Sequence, residues 1–279
     1  MSLYITSLNS GSNGNCFYIG NDTEAILVDA GISCRETEKR MKRLELDIKK
    51  VKAIFVTHEH SDHITGIPGL SKKHQLPVYI TKDTHRDSKI PIEEHLVHSF
   101  KGNKAVAVGG LSVTAFKKSH DACDPHSFMI SYNKINVGVI TDIGYSCKEV
   151  IHHFRQCHAV FLETNYCEDM LANGSYPYFL KQRISSDHGH LSNTQALDLF
   201  IKHKAPHLSH LILSHLSKNN NSPEVVSRLF AQHAAGIQVI VASRYQETAI
   251  YNITGKGETL SRPSYYSKKN TGQSQLSLF

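Results

Sequence analysis

The sequence predicts an α/β fold. Three observations carry this. Short apolar runs recur along the chain with helix-start signals between them. Several of the runs stop on an aspartate or a histidine, and open sheet folds place their chemistry at strand ends. No long linker divides the chain into separate units.

Tyr4–Leu8 and Cys16–Ile19 read as strands joined by Gly11-Ser12-Asn13-Gly14-Asn15. Glycines there permit close backbone approach and left-handed φ. The loop is either a hairpin turn or the border of a site, with Asn13 and Asn15 as substrate contacts. Ala25–Val28 is a third strand. Ser33-Cys34-Arg35-Glu36 has the form of a capping box and opens a helix to about Leu44. Strands follow at Ala53–Thr57, Val78–Ile80, Ala105–Val108, Leu111–Phe116, Phe128–Ser131, Ile135–Ile140 and Val160–Glu163. Ser192-Asn193-Thr194-Gln195 is a second capping box, for a helix to about Lys202. Leu211–Leu213 is a strand, and Pro223 suits the first turn of a helix to about His233. Val239–Ala242 and Thr248–Ile253 complete the strands.

At 279 residues and 40% hydrophobic composition, the chain can bury the core of one large domain, expected over residues 1–260. Met1-Ser2-Leu3-Tyr4 lacks a basic region leading into a long apolar one, so no secretory signal is expected. No apolar stretch approaches membrane-spanning length. The six cysteines are scattered without C-x-x-C pairs and read as reduced thiols of a cytoplasmic protein. A net charge of +6 permits a polyanionic substrate without requiring one.

His58-Glu59-His60-Ser61-Asp62-His63 follows the apolar run Val51–Val56 and packs three imidazoles and two carboxylates into six residues. A metal explains that density better than a polar surface loop does, because imidazole and carboxylate suit zinc, manganese or iron. Alternate residues His58 and His60 can point the same way from a strand end, while Asp62 and His63 turn toward a second ion. Asp29, His120, Asp142 and His215 also stand at the ends of apolar runs. Alone, His120 has a rival in nearby His126. Following H-x-H-x-D-H in this order, the four become candidates together.

That series resembles the metallo-β-lactamase fold superfamily over residues 1 to about 255. The resemblance implies a four-layer αββα sandwich. It also implies two divalent ions, zinc or manganese. His58, His60 and His120 would hold one, Asp62, His63 and His215 the other, and Asp142 would bridge them. Asp29 would orient the histidine-rich loop. Catalytic roles would fall to Asp62, accepting a hydrogen bond from the attacking water, and to His190 and Glu163. Gly189-His190-Leu191-Ser192 and Glu163 resemble the histidine and carboxylate that tRNA-processing members place near the leaving group. On the residues alone, His190 is equally a helix-entry histidine and Glu163 a buried structural carboxylate, unless the two meet.

Gly11–Asn15, Ser119-His120-Asp121-Ala122, Thr141-Asp142-Ile143-Gly144, Ser186-Asp187-His188-Gly189-His190 and His215-Leu216-Ser217 narrow the resemblance to the YycJ/WalJ group. The interval from Asp142 to His215 is too short for the domain inserted in β-CASP nucleases. The group implies a 5′-to-3′ exonuclease on double-stranded DNA, linked to mismatch repair. A hydrolase of thioesters, lactones or cyclic phosphodiesters and an RNA-processing nuclease are the alternatives. Glu163-Thr164-Asn165-Tyr166 departs from the group by carrying Tyr166 where relatives tend to have histidine; Asn165 is a further candidate substrate contact.

From about Arg262 the composition turns to Ser, Lys, Asn, Gln and Gly, which reads as a flexible tail over 261–279. It ends Gln275-Leu276-Ser277-Leu278-Phe279. Gln275, Leu276, Leu278 and Phe279 resemble the peptide by which bacterial repair enzymes attach to the DNA sliding clamp. A strand docking on the domain is the alternative.

Overall fold

The computed structural model describes residues 2–255. The tail and its expected clamp-binding peptide lie outside the described residues. The first part of the chain contains β1 (Ser2–Asn9), β2 (Cys16–Gly20), β3 (Ala25–Val28), α1 (Cys34–Arg43), β4 (Val51–Phe55), α2 (Ser61–Ile64), α3 (Ile67–His74), β5 (Val78–Tyr79), α4 (Lys82–Ser88) and β6 (Val97–His98). The second contains β7 (Ala105–Val108), β8 (Leu111–Lys117), β9 (His126–Tyr132), β10 (Ile135–Ile140), α5 (Lys148–Phe154), β11 (Ala159–Glu163), α6 (Glu168–Asn173) and α7 (Tyr178–Ser185). It continues through α8 (Asn193–His203), β12 (His210–Ser214), α9 (Pro223–Ala231), β13 (Gln238–Val241) and β14 (Tyr251–Thr254).

These strands build two seven-stranded mixed sheets, ordered β14-β1-β2-β3-β4-β5-β6 and β13-β12-β11-β10-β9-β8-β7. The period-two alternation of strand side chains stacks them. Ile26 and Val28 of β3 enter a core shared with Val137, Val139 and Phe161 of the other sheet. Their neighbours Ala25 and Leu27 face the layer of α1 and α3. In β11, Ala159 and Phe161 face the opposite sheet, while Val160 and Leu162 meet α5, α8 and α9. Phe17 and Phe161 join the sheets at a centroid distance of 4.8 Å, a contact worth about 0.5–1.5 kcal/mol beyond its burial. The result is the four-layer αββα sandwich.

β3 to β6 are mutually parallel, as are β10 to β13. Parallel neighbours end on the same side, so Asp29, His58, Asp142, Glu163 and His215 collect along one edge of the sandwich. No described helix is long and apolar enough to cross a membrane.

Local signals held unevenly. Ser192 and Gln195 complete a reciprocal capping box. Ser33 caps α1 by accepting from the Glu36 N–H, but Glu36 turns its carboxylate to Arg40 at 2.9 Å. The α9 helix stops at Ala231 rather than about His233. The last strand begins at Tyr251; Thr248 meets β1 ahead of it, its N–H donating to the Ser7 carbonyl at 2.9 Å and its hydroxyl lying 3.0 Å from the Thr6 hydroxyl and from the Ser7 N–H.

Candidate metal centre

Three residues that close site strands adopt left-handed backbone: Asp29 (φ 58°), Asp142 (φ 54°) and His215 (φ 58°). Aspartate and histidine tolerate this region better than bulky residues do, at a cost of order 1 kcal/mol. The turn drops each side chain over the end of its own sheet. Gly31 makes a second close approach possible: a Cβ there would lie 1.7 Å from the Asp62 carbonyl oxygen. That carbonyl accepts from the Asn15 N–H at 2.7 Å, and the His63 carbonyl accepts from the Ala30 N–H at 2.9 Å. The one-turn helix α2 is thereby docked on the loop after β3.

Four of the five candidate ligand histidines are fixed through one nitrogen, leaving the other for the site. Asp29 accepts from the Thr57 N–H and hydroxyl, each at 2.8 Å, and from His63 Nδ1 at 2.7 Å. Since the Thr57 hydroxyl donates to Asp29, it accepts from His58 Nδ1, at 2.8 Å. His120 Nδ1 donates to the Gly189 carbonyl at 3.0 Å, and His215 Nδ1 to Glu163 at 3.1 Å. His58 Nε2 and His120 Nε2 then lie 3.1 and 3.3 Å from His60 Nδ1. On the other side, His215 Nε2 lies 3.4 Å and His63 Nε2 3.6 Å from Asp62 Oδ2. Asp142 Oδ2 stands 3.3 Å from His63 Nε2. The ligand-type atoms of His58, His60 and His120 form one group, those of Asp62, His63 and His215 another, and Asp142 lies between them.

This donor set fits divalent cations. Burial, reinforced by Lys118, pushes the His58 imidazolium well below its usual range and that of His120 down to about 3, so both rings present lone pairs. His60 Nδ1 has at most one proton to offer the two lone pairs that face it, whereas a cation among the rings accepts from all three. At the second group burial opposes protonation, yet the carboxylates around His63 and His215 outweigh it; His215 is raised to about 10. That half of the site demands positive charge. Asp142 Oδ2 is buried without a hydrogen-bond partner, which suits a carboxylate oxygen meant for a metal.

Glu163 meets His190: Oε1 lies 2.8 Å from Nδ1. Its Oε2 accepts from the Ile143 N–H at 2.7 Å and the Leu191 N–H at 3.3 Å. Burial raises the Glu163 carboxyl, but His190 and His215 bring it down to about 2. It is the anionic partner of His190.

Other sequence candidates land differently. His126 bonds the Asp124 carbonyl through Nδ1 and packs on Phe100, outside the groups that can hold an ion; His120 takes the place. Glu59 accepts from the Cys123 N–H and belongs to none of the groups that can hold an ion. Asn15 and Asn165 are buried. Asn15 bonds Asp62 Oδ2 at 3.2 Å, and Asn165 bonds the His215 carbonyl at 2.9 Å. Both therefore position ligand-type residues rather than offering open substrate contacts. Asn13 is exposed and donates to the Arg244 carbonyl. Tyr166 is 4% exposed and lines a cavity of about 470 Å³ beneath α6 and α7.

Two cations at the site have no strong sequence signal. Lys118 is buried and donates to the Thr141 carbonyl at 2.8 Å, beside Asp142. Arg244 lies against Gly11 and reaches the Ser12 hydroxyl at 3.3 Å and the Leu216 carbonyl at 3.4 Å. Neither acceptor neutralises its charge.

Residues 24–215 match a family described as a β-lactamase superfamily domain. Exodeoxyribonuclease YycJ of Bacillus anthracis is 36% identical over 246 residues, which is 85% of this chain and 92% of that protein. Exodeoxyribonuclease WalJ of Streptococcus pneumoniae is 32% identical over 223 residues, 78% of this chain and 83% of its own length. The metallo-β-lactamase fold protein YhfI of Bacillus subtilis superposes with a TM-score of 0.70 at 16% identity, covering 90% of this chain and 100% of that one.

Proposed function

The chain belongs to the β-lactamase superfamily, and from that premise we propose that it is a metal-dependent exodeoxyribonuclease. The observation that carries the chemistry is the Glu163–His190 pair, at 2.8 Å, beside the His/Asp cluster. The sugar oxygen leaving a DNA phosphodiester is a poor alkoxide and needs a proton; the thiolate leaving a thioester does not. The relatives named exodeoxyribonucleases support DNA as the substrate.

In this reading His58, His60 and His120 would hold one divalent ion, zinc or manganese, Asp62, His63 and His215 would hold a second, and Asp142 would serve both. When bound, they neutralise the phosphate charge and bring the pKa of water close to neutrality. Asp62 accepts a hydrogen bond from the attacking water and orients it. Glu163 accepts the Nδ1–H of His190, so that Nε2 is the atom that gives a proton to the departing oxygen. Asp29, Asn15 and Asn165 keep the surrounding rings and carboxylate from rotating. Degradation from the 5′ end of duplex DNA, a place in mismatch repair and clamp attachment through Gln275–Phe279 are part of the same proposal.

The test is one panel. Protein reconstituted with zinc, manganese or magnesium is given end-labelled duplex DNA, single-stranded DNA, RNA, and generic lactone and thioester substrates. The expected result is progressive release of nucleotides from duplex DNA. Turnover of a lactone or thioester with intact DNA would overturn the proposal.

A further inference from the structure

Among the described residues the exposed large hydrophobics are Tyr145, Tyr178, Phe179, Ile201, Val225 and Tyr245. The two aliphatic ones sit on α8 and α9, in the outer helical layer. All four aromatic ones sit on connections leaving the site ends of strands: Tyr145 just beyond Asp142, Tyr178 and Phe179 on α7, and Tyr245 beyond β13. Phe179 and Tyr178 are 73% and 77% exposed on adjacent residues, Tyr245 matching Phe179 as a single residue.

The α7 helix is fastened to the candidate active site. The His190 N–H donates to the Ile184 carbonyl at 2.9 Å. Arg183 Nε holds Asp121 Oδ2 at 2.5 Å, next to His120. Just before the helix, the Tyr176 hydroxyl accepts from Asn219 at 3.2 Å, in the loop past His215. Phe179 and Arg183 are four residues apart, and so share a helix face, from which Arg183 reaches Asp121, the residue after His120. The helix carries Lys181 and Arg183 and no carboxylate. Lys181 bonds only a neutral partner here, the Ala172 carbonyl.

The depth of the site says what such a surface is for. Asp142 is 1% and His120 5% exposed. Asp62 and His190 nevertheless keep about a fifth of their side chains open, so the centre is reached through a narrow opening, which a strand end separated from its complement passes more readily than a duplex. Its unpaired bases then need π-faces. We propose that α7 is the stacking platform for the unpaired terminal bases of the nucleic-acid substrate, with Phe179 taking a base face and Lys181 drawing in the backbone. This rests on the nuclease reading. Base–aromatic stacking is sequence-tolerant, and losing one such contact weakens binding about tenfold or more.

The experiment compares wild type, Phe179→Ala, Phe179→Trp and Tyr178→Ala as full-length, metal-loaded proteins. Substrates are end-labelled duplex DNA with blunt or three-nucleotide frayed ends and, without a base, bis(p-nitrophenyl) phosphate. Phe179→Ala should raise KM for blunt DNA about tenfold, change kcat less, and be restored by tryptophan. Its effect on bis(p-nitrophenyl) phosphate should be several-fold smaller. Equal losses on both substrates, or unchanged KM for DNA, would overturn the platform alone. A wild-type dimer that Phe179→Ala dissociates would also overturn it, in favour of a protein interface. Failure of the wild type to cut any DNA would sink the nuclease reading beneath it.

Discussion

Glu163 Oε1 and His190 Nδ1 lie 2.8 Å apart, at the floor of a site in which Glu163 is fully buried and His190 keeps 21% of its side chain open. The same carboxylate oxygen also faces His215 Nδ1 at 3.1 Å. Glu163 therefore couples the proposed proton donor to the ligand-type residue after β12. One buried carboxylate orients both rings, which ties leaving-group chemistry to the metal cluster.

Asp142 lies between the two ligand groups and is proposed to be shared by both. Wild type, loaded and freed of excess metal, should contain two ions per chain. Asp142→Ala should hold one or none and lose nearly all hydrolysis. Elemental analysis checks this; a single ion in fully loaded wild type would contradict the shared role of Asp142.

Asp29 is outside the ligand groups and acts on them through its bonds to His63 and Thr57. Asp29→Asn keeps a residue that tolerates the φ of 58° found there, so it removes the charge and one accepting oxygen without adding backbone strain. Metal affinity should fall about 10- to 100-fold, the usual cost of removing an orienting carboxylate. Competition against a chelating dye measures it, and unchanged affinity would remove Asp29 from the orienting role.

Arg244 stands on the rim beside His215 with its charge uncompensated by its bonded partners. If it grips a backbone phosphate, Arg244→Ala should weaken DNA binding by metal-free protein and lower the slope of log affinity against log salt by about 1. An unchanged slope would place Arg244 outside the DNA path.

His153 gives a pH signature away from the metal cluster. Its ring stacks on Phe116 at 4.0 Å, and its Nδ1 is buried without a partner. Burial, with His152 beside it, brings its pKa down to about 4. The unfolded chain binds this proton below about pH 6.5 and the folded chain only below about 4, so stability falls as pH drops through that window. His153→Phe should remove on the order of 1 kcal/mol of that loss. Thermal denaturation at pH 7.5 and 5 would show the variant gaining on wild type at the lower pH. A gap independent of pH would contradict it.

The sequence was most legible where apolar runs stop. Val28 before Asp29, Ile140 before Asp142 and Leu213 before His215 mark strand ends, and parallel pairing brings such ends together. The short helices were not legible. The α2 helix has four residues, and α4, α5 and α6 only seven, seven and six; such lengths leave too few turns for a helical period to emerge. Side-chain orientation was also hidden. Asn15 and Asn165 read as polar loop residues open to substrate, yet both are buried under ligand-type groups. Lys118 and Arg244 are single cations whose placement depends on contacts across the fold: Lys118 with Thr141, and Arg244 with residues more than two hundred positions away, such as Ser12.

The most direct test of the account compares His190→Ala with wild type on two phosphodiesters of different leaving group. General-acid catalysis contributes roughly a hundred- to ten-thousand-fold. His190→Ala should keep its metal content and lose that factor in kcat on DNA, where the departing sugar oxygen needs a proton. On bis(p-nitrophenyl) phosphate, whose phenolate leaves without one, the loss should be many-fold smaller. Equal losses on the two substrates, with metal content intact, would contradict the assignment of His190 and the mechanism built on its pairing with Glu163.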